Sequence, residues 1–306
     1  MRIVFMGTPD FAVPSLRALV EAGHQIAGVL TQPDKPKNRG MKLMPPPVKE
    51  YALTQGIDVF QPVNLRGGSA VTLLKQLHPE LIVVAAYGKI LPPDILTLPP
   101  LGCINVHSSL LPKYRGAAPI NWAILNEERE TGVTIMYMAE GLDTGDMIAQ
   151  SVVSIGDRET APELHDRLAL AGAELLTKVV AQLEAGSASR TPQDDALSCY
   201  APMLSRELSP MDWEKRASQL QAQVRGLIPW PSATAVLDGV RCKVWAATVM
   251  DERTDRKPGT ILKADKDGLH VACGAGTVLR IDEVQPDGKK RMAATAFLLG
   301  HPIKID

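Results

Sequence analysis

The 306-residue chain is 45% hydrophobic and 22% charged with a formal net charge of −1, which excludes a disordered or fibrous protein and fits about two domains at roughly 150 residues each. No apolar run approaches the ~18 residues of a membrane crossing, and the near-neutral balance leaves any nucleic-acid contact to local patches. Cysteines 103, 199, 242 and 273 are too dispersed for a CxxC pair or a disulfide scaffold, and the N-terminus lacks the pattern of a signal peptide, so a reduced, cytoplasmic protein is expected.

Along the first 150 residues the hydrophobic period alternates. Ile3–Met6 reads as a strand that breaks at Gly7, and Pro14–Ala22 as a helix with Leu16, Leu19 and Val20 inward, ended by Gly23. Ile26–Leu30 is strand-like, the following stretch a polar loop, Val48–Thr54 a helix and Ile57–Phe60 a strand. Leu73, Leu74 and Leu77 mark a further helix, and Leu81–Ala86 is apolar throughout, as a strand covered on both faces is. Cys103–Val106 and Val133–Met138 are strand candidates on either side of a helix from about Ala117 to Leu125. This alternation predicts an α/β fold with a parallel, doubly wound sheet.

A strand over Asp146–Ile155 is followed by Thr160-Ala161-Pro162-Glu163, a capping-box pattern that opens a long helix to about Leu183. Residues 185–211, rich in Ala, Ser, Asp and Pro, read as linker. Beyond a helix at about Glu214–Arg225, short strands are expected at Ala233–Leu237, Cys242–Thr248, Thr260–Lys263, Leu269–Ala272 and Thr277–Ile281. Asp-Gly turns at 238, 267 and 287 punctuate them, and this spacing predicts a small antiparallel barrel.

The first strand–helix turn, Gly7-Thr8-Pro9-Asp10, is neither GxGxxG nor GxxxxGK[ST]. A dehydrogenase or kinase is therefore disfavoured. The densest polar run is Asn105-Val106-His107-Ser108-Ser109-Leu110-Leu111-Pro112-Lys113-Tyr114-Arg115-Gly116. In extended chain, residues two apart share a face, so Asn105 and His107 project together at a strand end, where open α/β sheets place ligands. An amide donor beside a titratable imidazole suits a developing oxyanion. The other open reading is a structural histidine bonded to a loop carbonyl. Leu142-Asp143-Thr144-Gly145-Asp146 would bring a carboxylate to the same sheet edge if both strands run parallel, or it is only a turn.

Between residues 34 and 49, Lys35, Lys37, Arg39, Lys42 and Lys49 stand against the single acid Asp34. Such a loop can follow a phosphate backbone or be plain solvated surface. The histidines show no metal-ligand spacing with carboxylates or cysteines, so no metal is expected.

Thr8-Pro9-Asp10-Phe11, Thr31-Gln32-Pro33-Asp34, Ala86–Pro92, Asn105–Ile120, Gly132–Met136 and Gly141–Met147 together resemble the methionyl-tRNA formyltransferase family. The likeness continues through Pro229-Trp230-Pro231, Lys243-Val244-Trp245 and Pro258–Leu262. Asn-x-His-x-Ser-Leu-Leu-Pro with a downstream Leu-Asp-Thr-Gly resembles formyltetrahydrofolate-using enzymes in general; the basic loop and C-terminal segments point to the tRNA member. The resemblance implies a Rossmann-like formyltransferase domain (1–188), a linker (189–207) and an OB-like β-barrel domain (208–306) that holds tRNA. It implies formyl transfer from 10-formyltetrahydrofolate to the α-amino group of initiator methionyl-tRNA, with no metal, membrane or protein partner. Carried over by motif, Asn105, His107 and Asp143 are the catalytic trio. Ser109, Leu110, Leu111 and Pro112 line the folate site, and Lys37, Arg39 and Lys42 approach the tRNA acceptor stem. A non-catalytic RNA-binding module, or a folate enzyme with a sugar-amine, glycinamide-type or water acceptor, are the alternatives.

Overall fold

The structure, a computed structural model, describes residues 1–37, 42–66, 68–303 and 305. The elements in chain order are β1 (Arg2–Gly7), α1 (Val13–Glu21), β2 (Gln25–Leu30), β3 (Lys35–Lys37), β4 (Lys42–Met44), α2 (Pro47–Thr54) and β5 (Val59–Phe60). There follow α3 (Ser69–Leu77), β6 (Leu81–Ala85), α4 (Pro93–Leu96), β7 (Cys103–His107), β8 (Arg115–Gly116), α5 (Pro119–Leu125), β9 (Glu130–Tyr137) and β10 (Met147–Ser154). The remainder is α6 (Ala161–Glu184), β11 (Tyr200–Ala201), α7 (Ala217–Gly226), β12 (Ala233–Leu237), β13 (Val240–Met250) and β14 (Ile261–Asp265). β15 (Gly268–Cys273), β16 (Thr277–Pro286), β17 (Met292–Ala293) and α8 (Ala294–Gly300) complete it.

The chain divides into two compact units. The first comprises Met1–Gly116, Thr131–Ser154 and His165–Ala201. It is built on a sheet of order β10-β9-β7-β6-β1-β2-β5. Ile3–Met6 and Leu81–Ile82 are wholly buried, because helices cover both faces of the central strands. β1 pairs in parallel with β2 and β6, β6 with β7, and β2 with β5. α6 packs on this sheet through Gly172: a Cβ there would lie 2.9 Å from Val106 Cγ1. At its start the Glu163 carboxylate accepts the Thr160 N–H at 2.8 Å and hydroxyl at 2.7 Å, which holds Glu163 below the usual carboxylate range.

One feature of the sheet corrects the sequence reading. β7 and β9 run antiparallel, with Asn105 opposite Met136 and His107 opposite Thr134. The helix between them, α5, belongs to the second unit. The crossover helix that enforces parallel pairing is therefore missing from the sheet. The basic stretch also differs: β3 and β4 form an antiparallel pair, with Lys37 opposite Lys42, where a polar loop was expected. Proline lacks the N–H that a ladder uses, so prolines 36 and 45–47 give this segment no strand signature along the chain.

The 189–207 stretch, expected as linker, divides at its middle. Thr191 and Met147 exchange backbone hydrogen bonds at 2.9 Å, and β11 pairs in parallel with β8, so residues up to 201 edge the first unit. The second unit comprises Ala117–Glu130, Ile155–Leu164 and Pro202–Asp306. Its antiparallel sheet has the order β12-β13-β16-β15-β14, with β17 beside β16. Register shifts at Val244/Ala246 and Ala246/Ala247 add the local twist a barrel-like sheet needs. Leu220 and Val224 of α7, Val271, Leu279 and Ile281 of the sheet, and Phe297 of α8 share its core. Composition gave no sign of α8.

Candidate active site

β7 delivers Asn105 and His107 to one face of the first unit's sheet, as period-two alternation requires. His107 is 6% exposed. Its Nε2 lies 2.9 Å from the Tyr114 carbonyl oxygen. A carbonyl can only accept, so Nε2 carries the hydrogen and Nδ1 is the atom free to gain or lose a proton. The loop-carbonyl bond and the polar constellation, posed as alternatives by the sequence, thus coexist on opposite ring nitrogens.

Asp143 Oδ2 stands 3.7 Å from His107 Nδ1. That is within ion-pair reach and too long for a direct hydrogen bond. The same Oδ2 accepts the Gly116 N–H at 2.9 Å. Since β9 leaves the sheet at the opposite end from His107, Asp143 arrives by a loop folding back across the sheet face, not from the shared edge the parallel reading assumed. Asp143 adopts φ +53° within that loop. A Cβ at Gly145 would lie 1.8 Å from the Tyr137 carbonyl oxygen, so only glycine permits the fold-back. Asn105 is half-buried, and among the described residues its side-chain amide has no hydrogen-bond partner.

The 109–112 turn is pinned from beneath. Ser109 is fully buried and donates its hydroxyl to the Lys113 carbonyl at 2.7 Å. Thr134 Oγ1 donates to the Ser109 carbonyl at 2.7 Å and accepts from Leu111 N and Gln150 Nε2 at 3.1 and 2.9 Å. Gln150 Nε2 also donates to the Leu111 carbonyl. Ser109 therefore spends its side chain, and Leu111 its main-chain N–H and carbonyl, on holding the turn, while Leu110 and Pro112 are half-buried.

Three residues that sequence reasoning had not singled out close the site. The Tyr114 carbonyl fixes the imidazole, and the Gly116 N–H fixes the carboxylate. Gln193 donates from Nε2 to the Asp143 and Gly145 carbonyls, both at 2.8 Å, and accepts from Arg115 Nε and Nη2 at 3.0 and 2.8 Å. Tyr114 and Gly116 lay inside the polar run, whereas Gln193 sat in apparent linker with no pattern to mark it.

A separate cleft of about 220 Å³ lies beyond the C-terminal ends of β1 and β2, lined by Thr8, Asp10, Gln32, Lys35 and the Met44–Pro47 run. Beside it the Lys49 ammonium and the Gln61 amide hydrogen-bond Asp34 at 2.8 Å and hold its carboxyl below the usual range. Of the residues expected to meet tRNA, Lys37 and Lys42 are paired in backbone register in the β3–β4 ladder, and Arg39 lies outside the described residues. Among the described residues no cluster of three or more His, Cys, Asp or Glu side chains could hold a metal, and no helix is long and apolar enough to cross a membrane.

Residues 1–180 match the family model described as formyl transferase, and residues 203–302 match that of the formyl transferase C-terminal domain. The methionyl-tRNA formyltransferase of Acetivibrio thermocellus is 50% identical over 304 residues, 99% of this chain and 97% of that protein. The methionyl-tRNA formyltransferase of Geobacter metallireducens is 51% identical over 300 residues, 98% of this chain and 96% of that protein. In fold the chain is similar to an N-formyltransferase from Helicobacter canadensis, solved with folinic acid and dTDP-3-aminofucose. That likeness has a TM-score of 0.71 at 20% identity and covers 93% of this chain and 98% of that one.

Proposed function

Because this chain belongs to the formyl transferase family and, by near-full-length identity of about half, to its methionyl-tRNA formyltransferases, we propose that it transfers the formyl group of 10-formyltetrahydrofolate to the α-amino group of initiator methionyl-tRNA. The observation that carries this reading is the unspent Asn105 amide on the same sheet face as a His107–Asp143 pair 3.7 Å apart. The folate donor supplies a formyl group held as a formamide-like carbonyl. A neutral amide donor, a ring nitrogen able to hold a proton and a carboxylate fit such a group without requiring a further charge.

The roles follow from the geometry. When an amine adds to a carbonyl, negative charge grows on the carbonyl oxygen, and preorganised donors aimed at that oxygen are worth roughly 3 kcal/mol each. Asn105 donates there without changing its charge. His107, its Nε2–H fixed on the Tyr114 carbonyl, donates from a protonated Nδ1. Asp143 stands beside that ring nitrogen. Through a water at the side of the pair, it takes the proton the amine loses as its nitrogen bonds to the formyl carbon. It passes that proton to N10 of the folate as the C–N10 bond breaks, so that tetrahydrofolate leaves as a neutral amine. The half-buried Leu110 and Pro112 and the main chain of the pinned turn form the folate wall, with Ser109 and Leu111 as its scaffold.

The basic segment with Lys37, Arg39 and Lys42 approaches the acceptor stem, and the C-terminal unit holds the tRNA body. A cytoplasmic location goes with this reading. The test is formyl transfer to charged initiator tRNA against charged elongator tRNA, with His107→Ala alongside. Transfer is expected to prefer the initiator and to fall about 100- to 1000-fold in the variant at saturating substrates. Near-normal turnover by His107→Ala sinks the assignment.

A further inference from the structure

Both ends of Asp143 are tied to the same dipeptide. Its carboxylate Oδ2 accepts the Gly116 N–H at 2.9 Å. Its carbonyl accepts from Gln193 Nε2 at 2.8 Å, and Gln193 Oε1 in turn accepts from the Arg115 guanidinium at 2.8 and 3.0 Å. Gln193 Nε2 spends its second hydrogen on the Gly145 carbonyl at 2.8 Å, beside the glycine that makes the fold-back possible. Arg115 Nη2 is held further by Asp195 Oδ1 at 2.7 Å. The result is a closed ring: Asp143 main chain, Gln193 amide, Arg115 guanidinium, the Arg115–Gly116 peptide and the Asp143 carboxylate.

Only a primary amide can close this ring, since it offers two donor hydrogens and a two-lone-pair acceptor on one rigid plane. Glutamate cannot donate, lysine cannot accept, and methionine of similar volume does neither. The ring matters because Asp143 lies at φ +53°, a conformation uncommon for residues other than glycine, in a loop that needs outside contacts to fix it. Its carboxylate also faces Nδ1 across a gap instead of through a direct bond, so nothing in the His107–Asp143 pair itself fixes the separation.

We propose that Gln193 is a positioning residue for formyl transfer: from the segment after α6, it locks the Asp143 loop so that the carboxylate stands opposite His107 Nδ1. It does not touch substrate. The inference rests on the reading of Asp143 as the partner of His107.

The full-length protein with Gln193→Met, Asp143→Asn and the double substitution tests it, through kcat, KM for both substrates and the ¹⁵N shift of His107 Nδ1 at one fixed pH. Gln193→Met is expected to lower kcat about 10- to 100-fold, as a misplacement of about 1 Å does, with both KM values within about twofold of the parent. Its Nδ1 shift should move in the same direction as in Asp143→Asn. The double variant should match Asp143→Asn in rate and shift, because the glutamine acts only through the aspartate. Gln193→Glu, which keeps its volume and its Arg115 pairing but loses both donors, should repeat the result if the methionine variant folds poorly. An unchanged rate and shift in the folded Gln193 variants, or a loss that multiplies with that of Asp143→Asn, overturns the positioning role. A normal rate and shift in Asp143→Asn itself instead overturns the reading of the site.

Discussion

Asp143 Oδ2 lies 3.7 Å from His107 Nδ1 even though the strands that lead to the two residues run in opposite directions. The meeting depends on a loop that doubles back over the sheet face, and the tightest point of that loop is Gly145. Gly145→Ala must displace the Tyr137 carbonyl or the loop. The expected outcome is a loss of about 1–3 kcal/mol of stability, the range for overpacking, read as a lower urea midpoint with unchanged m-value. Formyl transfer should fall more than stability alone explains, since the carboxylate moves with the loop.

Thr134 is fully buried and its hydroxyl joins β9 to the 109–112 turn through one donated and two accepted hydrogen bonds. Thr134→Val keeps the shape and strands the Leu111 N–H and the Ser109 carbonyl. Unfolding by urea should show a loss of about 1–3 kcal/mol, and KM for the folate donor should rise as its wall loosens. Thr134→Ser should restore both.

The four cysteines should separate by reactivity. Burial pushes the Cys103 thiol up to about 12 and leads the causes that push Cys242 and Cys273 up to about 11, while Cys199 is exposed. Because the thiolate is the nucleophile, a disulfide reagent at pH 8 should titrate one thiol in the native protein and four after denaturation. Cys199→Ser should abolish the native reaction.

The basic segment should reveal itself through salt. Phosphate contacts release counterions, so affinity for charged tRNA should fall with salt on a log–log plot. Replacing Lys37, Arg39 or Lys42 by alanine should each make that slope shallower by about one where the residue meets a phosphate. kcat at saturating tRNA should stay near the parent value. Unchanged slopes for all three would remove this segment from the tRNA interface.

Much of the architecture was legible along the chain. The wholly apolar Leu81–Ala85, the Asp-Gly turns of the second unit and the capping pattern at Thr160–Glu163 are local signals, and local propensity with short-range hydrogen bonding decides them. The Asn105–His107 pairing was equally visible, because alternation along an extended strand needs no tertiary information. The β3–β4 ladder, α8 and the role of residues 189–201 were not visible. Prolines 36 and 45–47 give the β3–β4 segment no strand signature, and a polar stretch such as Thr191–Asp195 owes its order to partners far away in sequence.

What the sequence by itself determined is the chemistry on offer: an amide, an imidazole and a carboxylate in segments whose resemblance to a known family implies formyl transfer. Tertiary structure alone decided how they meet. The reversal of β9 against β7, the Asp143–Gly116 bond and the Gln193 ring join residues between 27 and 78 positions apart along the chain. Strand direction and loop closure depend on which distant surfaces pack and which carbonyls find donors, and no local periodicity carries that information.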